Sequence, residues 1–406
     1  MLPDFYVLPH NFICKFSNCT GLLDMKLFIA FLLLVFTGSL SAQELAQARQ
    51  TINTLTSSRL WGRGYTKGGM AKAGDYISAA FKKNGLQPMS GSDYRQRFSY
   101  PVNTFPGKME VTVNNKILVP GKDFIIGPAS SGQKHSNVQP RQTDSVTFIA
   151  KEERLILSIE DKPTWSVAQK AEDYTLLQIN KKSLPQQPLT IDVNIENAFV
   201  PKFQASNICG IIKGNRMPDS LLLITAHYDH LGGMGSNTFF PGANDNASGI
   251  SLLLSLVKYY AENPPPYSIG FICFAGEEAG LMGSAYFTAH PLVSLNMIKF
   301  LINIDMVGTG EKGITVVNAT LHPAAFSVLN EINDEKKYLP TINSRGKAAN
   351  SDHFYFTEKG VPAFFIYTQG GISAYHDVYD VPSTLPLTEF ADLRHLFIDF
   401  LDRQMR

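Results

Sequence analysis

Several large protein classes are excluded by what this chain lacks. Lys+Arg 36 against Asp+Glu 35 leaves a net charge of +1, so no basic excess exists to displace counterions from nucleic acid. Internal repeats and low-complexity tracts are absent. The apolar run LFIAFLLLVF, residues 27–36, stops at ten residues, well short of the ~20 that a membrane-spanning helix needs. Cysteine is scarce at four, and only Cys209 and Cys273 lie beyond the N-terminal region. Each sits inside an apolar, strand-like run, which favours buried thiols over a disulfide between them. What is present is globular: apolar residues are 44% and charged residues 17% of a 406-residue chain, enough to bury a large core.

The N-terminus carries an export pattern. Met25-Lys26, the ten-residue apolar run and then TGSLSA before Gln43 form a charged start, a short hydrophobic region and a small-residue cleavage site. Residues 1–42 therefore read as an upstream extension followed by a signal peptide over 25–42, with the mature chain beginning near Gln43. No cysteine adjoins the cleavage site, which argues against a lipid anchor. The expected location is secreted or periplasmic, with no transmembrane span in the mature protein.

Residues 45–85 have a helical pattern: Ala73, Ile77, Ala80 and Phe81 share one face, and Asn84-Gly85 is a C-terminal stop. From about 103 to 200 the texture becomes short β-rich runs: MEVTV, KILV across Asn114-Asn115, DSVTFIA, RLILSIE, YTLLQI and LTIDVNI. No chemical motif occurs there. After residue 205 continuous apolar runs at 221–226, 268–275, 300–305 and 361–367 alternate with helical stretches at 247–262, 280–289, 322–335 and 387–403. Such runs suit strands covered on both faces. The alternation predicts an α/β fold, a three-layer αβα sandwich with a mixed, mostly parallel central sheet. The expected organisation is 43–102 as the N-terminal part of the main domain, 103–200 as a β-rich insert and 201–406 as its core.

Polar groups gather at the ends of these strands, where ligands of open α/β sheets bind. His227 and Asp229 follow the first strand in ITAHYDHLGG, and Asp245 lies in PGANDNASG before a helix. Glu277 and Glu278 end the second strand, Asp305 ends the third, and His376 lies in SAYHDVYD beyond the fourth. The windows 225–249, 273–284, 303–310 and 373–380 hold seven acidic residues and no lysine or arginine. Uncompensated acids in one cleft repel each other and raise each other's pKa values unless a cation sits among them. Divalent metal is the economical cation. With Asp245, Glu278 and Asp305 as ligands beside neutral His227 and His376, two divalent ions, three carboxylates and one shared hydroxide sum to zero charge. Glu277 is then left over as a base for the water. Mixed nitrogen and oxygen ligation favours zinc, with manganese or cobalt as alternatives.

In this order and spacing, HYDH, GANDNASG, AGEEAGLMGS, NIDMVG and YHDVYD resemble the secreted bacterial-type di-zinc aminopeptidases, metallopeptidases akin to glutamate carboxypeptidases, the transferrin receptor and glutaminyl cyclases. The resemblance covers about 205–406 well and 45–100 loosely; at 103–200 the family often carries a protease-associated-type insert. It implies that Asp245 bridges two zinc ions, that His227 and Asp305 complete one site, and that Glu278 and His376 complete the other. It places Glu277 on the general base, Asp229 on a carboxylate that orients His227, and Tyr375 on a phenol that polarises the carbonyl. A cis peptide after the bridging aspartate is also frequent in the family.

The expected function is a secreted zinc-dependent exopeptidase acting on the N-terminal bond of peptides through a metal-bridged hydroxide. Recognition of a C-terminal carboxylate usually needs a cation, and the motif windows have none, whereas spare carboxylates can hold an α-ammonium. Arg345 and Lys347 lie on a loop that could approach the site. Phe239 and Phe240 either line an apolar pocket or pack the loop that carries them. The alternatives on the same scaffold are a glutaminyl cyclase, whose members tend to carry Trp where this chain has Tyr375, and a receptor-like protein that has lost catalysis. His230 reads as a loop-stabilising residue. The sequon at Asn246 falls inside the metal motif, where a glycan is implausible.

Overall fold

The apolar runs become the middle of one large sheet. A computed structural model describes residues 42–184 and 186–406; the upstream extension and the signal segment through residue 41 lie outside the described residues. The central strands are β1 (Arg95–Thr104), β2 (Ala198–Ile212), β3 (Met217–His227), β4 (Tyr267–Phe274), β5 (Ile298–Ile304), β6 (Ile314–Val317) and β7 (Ala363–Thr368). β4, β3, β5 and β7 lie side by side and parallel. Antiparallel pairings flank them, β2 on β4 and β6 on β7, and β1 runs antiparallel along β2. The sheet is thus mixed with a parallel centre.

Both faces of that centre are covered, which is why its strands do not alternate apolar with polar. Leu222, Ile224 and Ala226 of β3 enter a core shared with the helix over 42–55 (α1), α2 (Gly69–Lys83), α3 (Gly249–Glu262), α5 (Pro323–Lys336) and α7 (Phe390–Gln404). The intervening Leu221 and Leu223 enter a second core with Phe287 of α4 (Met282–Ala289) and Phe356 of α6 (His353–Glu358). Helices on both faces make the three-layer sandwich. Residues 45–406 form one compact unit. Among the described residues no helix is long and apolar enough to cross a membrane.

Between β1 and β2 the short β-rich runs build two small sheets. One holds Met109–Val113, Lys116–Leu118, Gln133–Val138 and Ile191–Ile195; the other includes Phe124–Ile126, Thr147–Ala150, Leu155–Glu160 and Thr175–Asn180. Asn114 and Asn115 both have positive φ, 49° and 65°, the conformation a two-residue hairpin turn demands. The core of these sheets also takes in Leu231, Met234 and Phe240 from the loop after β3. Cys209 and Cys273, on paired strands, are buried free thiols.

Candidate metal centre

Parallel β3, β4 and β5 deliver their carboxyl ends to one rim, and the polar residues of the motifs follow from that. His227 is the last residue of β3; Glu277 and Glu278 follow β4, Asp305 follows β5, and His376 lies in the loop beyond β7. Asp245 sits in the turn before α3, and its peptide bond to Asn246 is cis. All six line one cleft of about 380 Å³, together with Tyr375, Leu281, Met306, Phe365 and Tyr367. No lysine or arginine is among its lining residues.

The geometry divides about Asp245. Its Oδ1 lies 3.4 Å from His227 Nε2, and Asp305 Oδ1 lies 3.3 Å from the same nitrogen. Its Oδ2 lies 3.1 Å from His376 Nε2, which is also 3.1 Å from Glu278 Oε2. One carboxylate therefore presents an oxygen to each of two clusters. Donor atoms of His227, Glu277 and Asp305 lie within 4.8 Å of one another, as do those of His230, Asp245 and Glu278.

Outer hydrogen bonds fix how each group faces inward. His227 Nδ1 donates to the Asp229 carbonyl at 3.2 Å, and His376 Nδ1 donates to the Trp165 carbonyl at 2.8 Å. Each imidazole is thereby left with Nε2 facing the cleft, the nitrogen that becomes the metal-binding lone pair once its proton is lost. The Asp229 carboxylate stands 3.8 Å from His227 Nδ1, beyond hydrogen-bond reach. It accepts instead from the backbone N–H groups of Glu277 and Glu278, at 3.1 and 3.3 Å, and from the Tyr65 hydroxyl. Asp229 thus ties the loop after β3 to the glutamate pair, while its backbone holds the histidine. Asp305 Oδ2 accepts from the Ser351 hydroxyl at 3.4 Å, which leaves Oδ1 toward His227.

Sequence reading missed several partners that only folding brings in. His230 is fully buried, and its Nδ1 donates to Glu278 Oε1 at 2.7 Å; its ring reaches a glutamate of another loop. Asp380 accepts the backbone N–H groups of Asn244 and Asp245. Arg63, far upstream of every motif, buries its guanidinium behind the cleft. It donates to the carbonyls of Leu55, Tyr228, Pro241, Gly242 and Asp245, using every N–H it has. Burial lowers its pKa to about 10 against the pull of Asp245 and Asp380. The cleft is therefore lined by no lysine or arginine, yet an arginine lies behind it. Nothing in RLWGRGY signals such a role; the one local hint is Gly242, whose φ of 61° and close approach to His230 and the Asp245 carbonyl exclude a side chain.

The structure decides between the two readings of Phe239 and Phe240. Phe240 is buried in the small-sheet core against Trp165, at 4.7 Å between centroids, and Phe239 packs on Trp61 at 5.3 Å. Both pack the loop; the cleft takes its apolar lining from Leu281, Met306 and Phe365. Arg345 reaches only the Tyr367 hydroxyl at the rim, and Lys347 pairs with Glu358. Tyr375, 43% exposed, stacks on His376 at 4.0 Å. Asn246 is buried with its amide bonded to the Ile304 carbonyl, so no glycan fits there.

The charge state shows what the cluster needs. Burial raises Glu277 well above the usual glutamate range, helped by Glu278 and Asp305 beside it. Burial works against charge on His376 too, but Glu278 and Asp245 overcome it and hold the imidazole up to about 11. Without an ion, the histidines serve as the cations among the acids. Nitrogen and oxygen donors facing one another at 3.1–3.4 Å are a set that zinc suits, so the residues present fit a metal pair.

Residues 207–401 match the family model described as Peptidase family M28. Aminopeptidase YwaD of Bacillus subtilis is 35% identical over 163 residues, 39% of this chain and 34% of that protein. A probable zinc metalloprotease of Pyricularia oryzae is 36% identical over 113 residues, 27% of this chain and 22% of its own. The chain thus spans at most about a third of the length of either relative. Among solved structures, BSAP, a zinc aminopeptidase from Bacillus subtilis, superposes with TM-score 0.64 at 18% identity, covering 89% of this chain and 95% of that one. An aminopeptidase from Aneurinibacillus sp. strain AM-1 gives 0.62 at 16% identity, with 89% and 94% covered.

Proposed function

From the match of residues 207–401 to the model described as Peptidase family M28, we propose that this chain is a zinc-dependent exopeptidase that removes residues from the N-terminus of peptides. His227 and Asp305 would hold one zinc ion, Glu278 and His376 a second, and Asp245 both. The observation that carries the reading is the division of Asp245, one oxygen toward each histidine at 3.4 and 3.1 Å. When bound, zinc supplies Lewis acidity, polarising a carbonyl and acidifying water.

The remaining work falls to side chains. Glu277, buried and raised in pKa, is matched to take a proton from the attacking water and return it to the leaving amine. The Tyr375 hydroxyl, at the cleft mouth, donates to the carbonyl oxygen as negative charge grows there. Glu277, the carboxylate left outside the ligand set, attracts the substrate's α-ammonium in a cleft with no lining lysine or arginine, and Leu281, Met306 and Phe365 supply an apolar wall for its first side chain. We read residues 103–200 as an insert into a domain made of 43–102 and 201–406, and the N-terminal pattern as an export signal.

A panel of aminoacyl-arylamides, assayed with and without chelator, tests this reading. Free-amine substrates are expected to be cleaved, to resist cleavage after chelation and to recover with zinc, while N-acetylated versions are left intact. Activity indifferent to chelation would overturn it. Release of ammonia from an N-terminal Gln peptide, with pyroglutamate as product, would assign the site to a cyclase instead.

A further inference from the structure

Between two strands of the five-stranded small sheet, Leu155–Glu160 and Thr175–Asn180, the chain leaves the sheet and, over residues 161–169, runs past loops that border the cleft. This segment touches both loops that carry the second cluster. Trp165 exchanges two hydrogen bonds with His376: its N–H donates to the His376 carbonyl at 3.0 Å, and its carbonyl accepts from His376 Nδ1 at 2.8 Å. Lys162 donates to the Ser373 carbonyl and lies 3.7 Å from Asp377. Four residues on from Trp165, the Gln169 amide donates to the Ala279 carbonyl at 2.6 Å, the residue after Glu278.

The segment is itself held from behind. The Asn103 N–H of β1 donates to the Ala168 carbonyl at 2.8 Å. The Trp165 ring is buried against Phe240, and Phe240, Leu231 and Met234 come from the loop after His227. Among the described residues, the hydrogen bonds that hold His227 and Asp305 come from Asp229 and Ser351, outside 161–169.

The geometry points to residues 161–169 as a positioning strap for the second metal site, the one formed by Glu278 and His376. Trp165 sets the His376 tautomer with its main-chain carbonyl, and its N–H pins the His376 backbone. Gln169 holds the loop just after Glu278. The β-rich region carries no chemical motif, yet through this strap it makes occupancy of one ion site depend on its own folding, while the site of His227 and Asp305 stands without it. This inference rests on the two-zinc reading above.

The test is a stepwise zinc titration of chelated protein against a chromophoric chelator, with bound metal counted after gel filtration. The variants are Trp165→Ala, Trp165→Phe and the double variant Lys162→Ala/Gln169→Ala. Trp165→Ala unseats the carbonyl by removing the ring packed on Phe240, and the double variant frees the loops at Ser373 and Ala279. Since misplacing an outer hydrogen-bond partner of a metal ligand typically costs about 10–100-fold in affinity, both are expected to weaken the second ion by up to that factor. The first ion should keep its affinity, and Trp165→Phe, which retains a ring against Phe240, should bind both. Trp165→Ala keeps the main-chain carbonyl but loses the ring that seats it against Phe240, so the ¹⁵N shifts of the His376 ring, which report the tautomer directly, should show a smaller Nδ1–H population than in the wild type. If Trp165→Ala fails to fold, the double variant, altered at one exposed and one half-buried position, decides alone. Wild-type affinity at both sites in the folded variants overturns the strap, as does an equal loss at both. Wild-type protein that takes up no zinc sinks the two-zinc reading itself, a result distinct from either.

Discussion

Glu277 and Glu278 are adjacent and both buried, yet their surroundings drive them apart. Glu278 meets His230 and His376, which, against burial and Asp245, bring its pKa down to about 2, whereas burial leaves Glu277 raised. Opposed shifts on neighbouring carboxyls mark opposed roles. Glu277→Gln is expected to keep its zinc and lose about 10²–10⁴-fold in kcat, the usual worth of a general base; kinetics with metal analysis on the same sample decides it. His376, held up to about 11 by Glu278 and Asp245 despite burial, must give up a proton to become a ligand. Zinc affinity should therefore rise with pH, and calorimetry in buffers of different ionisation enthalpy should detect proton release. At this scale the candidate ligands were legible because each motif pairs a strand end with a donor residue. His230, Arg63 and Trp165 were not, since a buried donor bonded to a distant backbone carbonyl leaves no local pattern.

Among elements, the strands were legible wherever burial on both faces made them continuous, as at 221–226 within β3. The helical reading of 45–85 resolves into two helices, 42–55 and Gly69–Lys83, because the turn at 58–63 inserts Trp61, Gly62 and Arg63 with positive φ between them. The short α6 holds a less visible feature. Asp352, just before its first turn, is fully buried, and burial, with Asp229 and Asp305 near, raises its pKa to about 7 despite His227. A helix N-terminus ordinarily favours a carboxylate; here desolvation outweighs it. Because the folded value exceeds the unfolded one, stability is greatest where Asp352 is protonated and falls as pH rises from about 4 toward about 7. Asp352→Asn should therefore raise the melting temperature of chelated protein above pH 7, and the gain should vanish near pH 4. A melting curve series across that range checks the sign.

For the whole molecule, acids packed at one sheet edge make the fold dependent on what neutralises them. Zinc at 1,000 times its dissociation constant should stabilise by about 4 kcal/mol per site, so calorimetry should show chelation lowering the melting temperature and zinc restoring it. The αβα layering and the β-rich texture of 103–200 could be read from the runs; the division of that region into two sheets and their packing on the loop after β3 could not, because the pairings that complete each sheet, Ile191–Ile195 on Met109–Val113 and Thr175–Asn180 on Phe124–Ile126, join runs far apart in sequence. Arg63 carries the last consequence. Its five donors end on four carbonyls of the connection between β3 and α3 and on one of α1, so the stretch that family likeness picks out is not self-sufficient. A fragment starting at residue 207 would leave those oxygens facing a hole, and excising the peptidase-like half for study would dismantle the wall behind its own cleft.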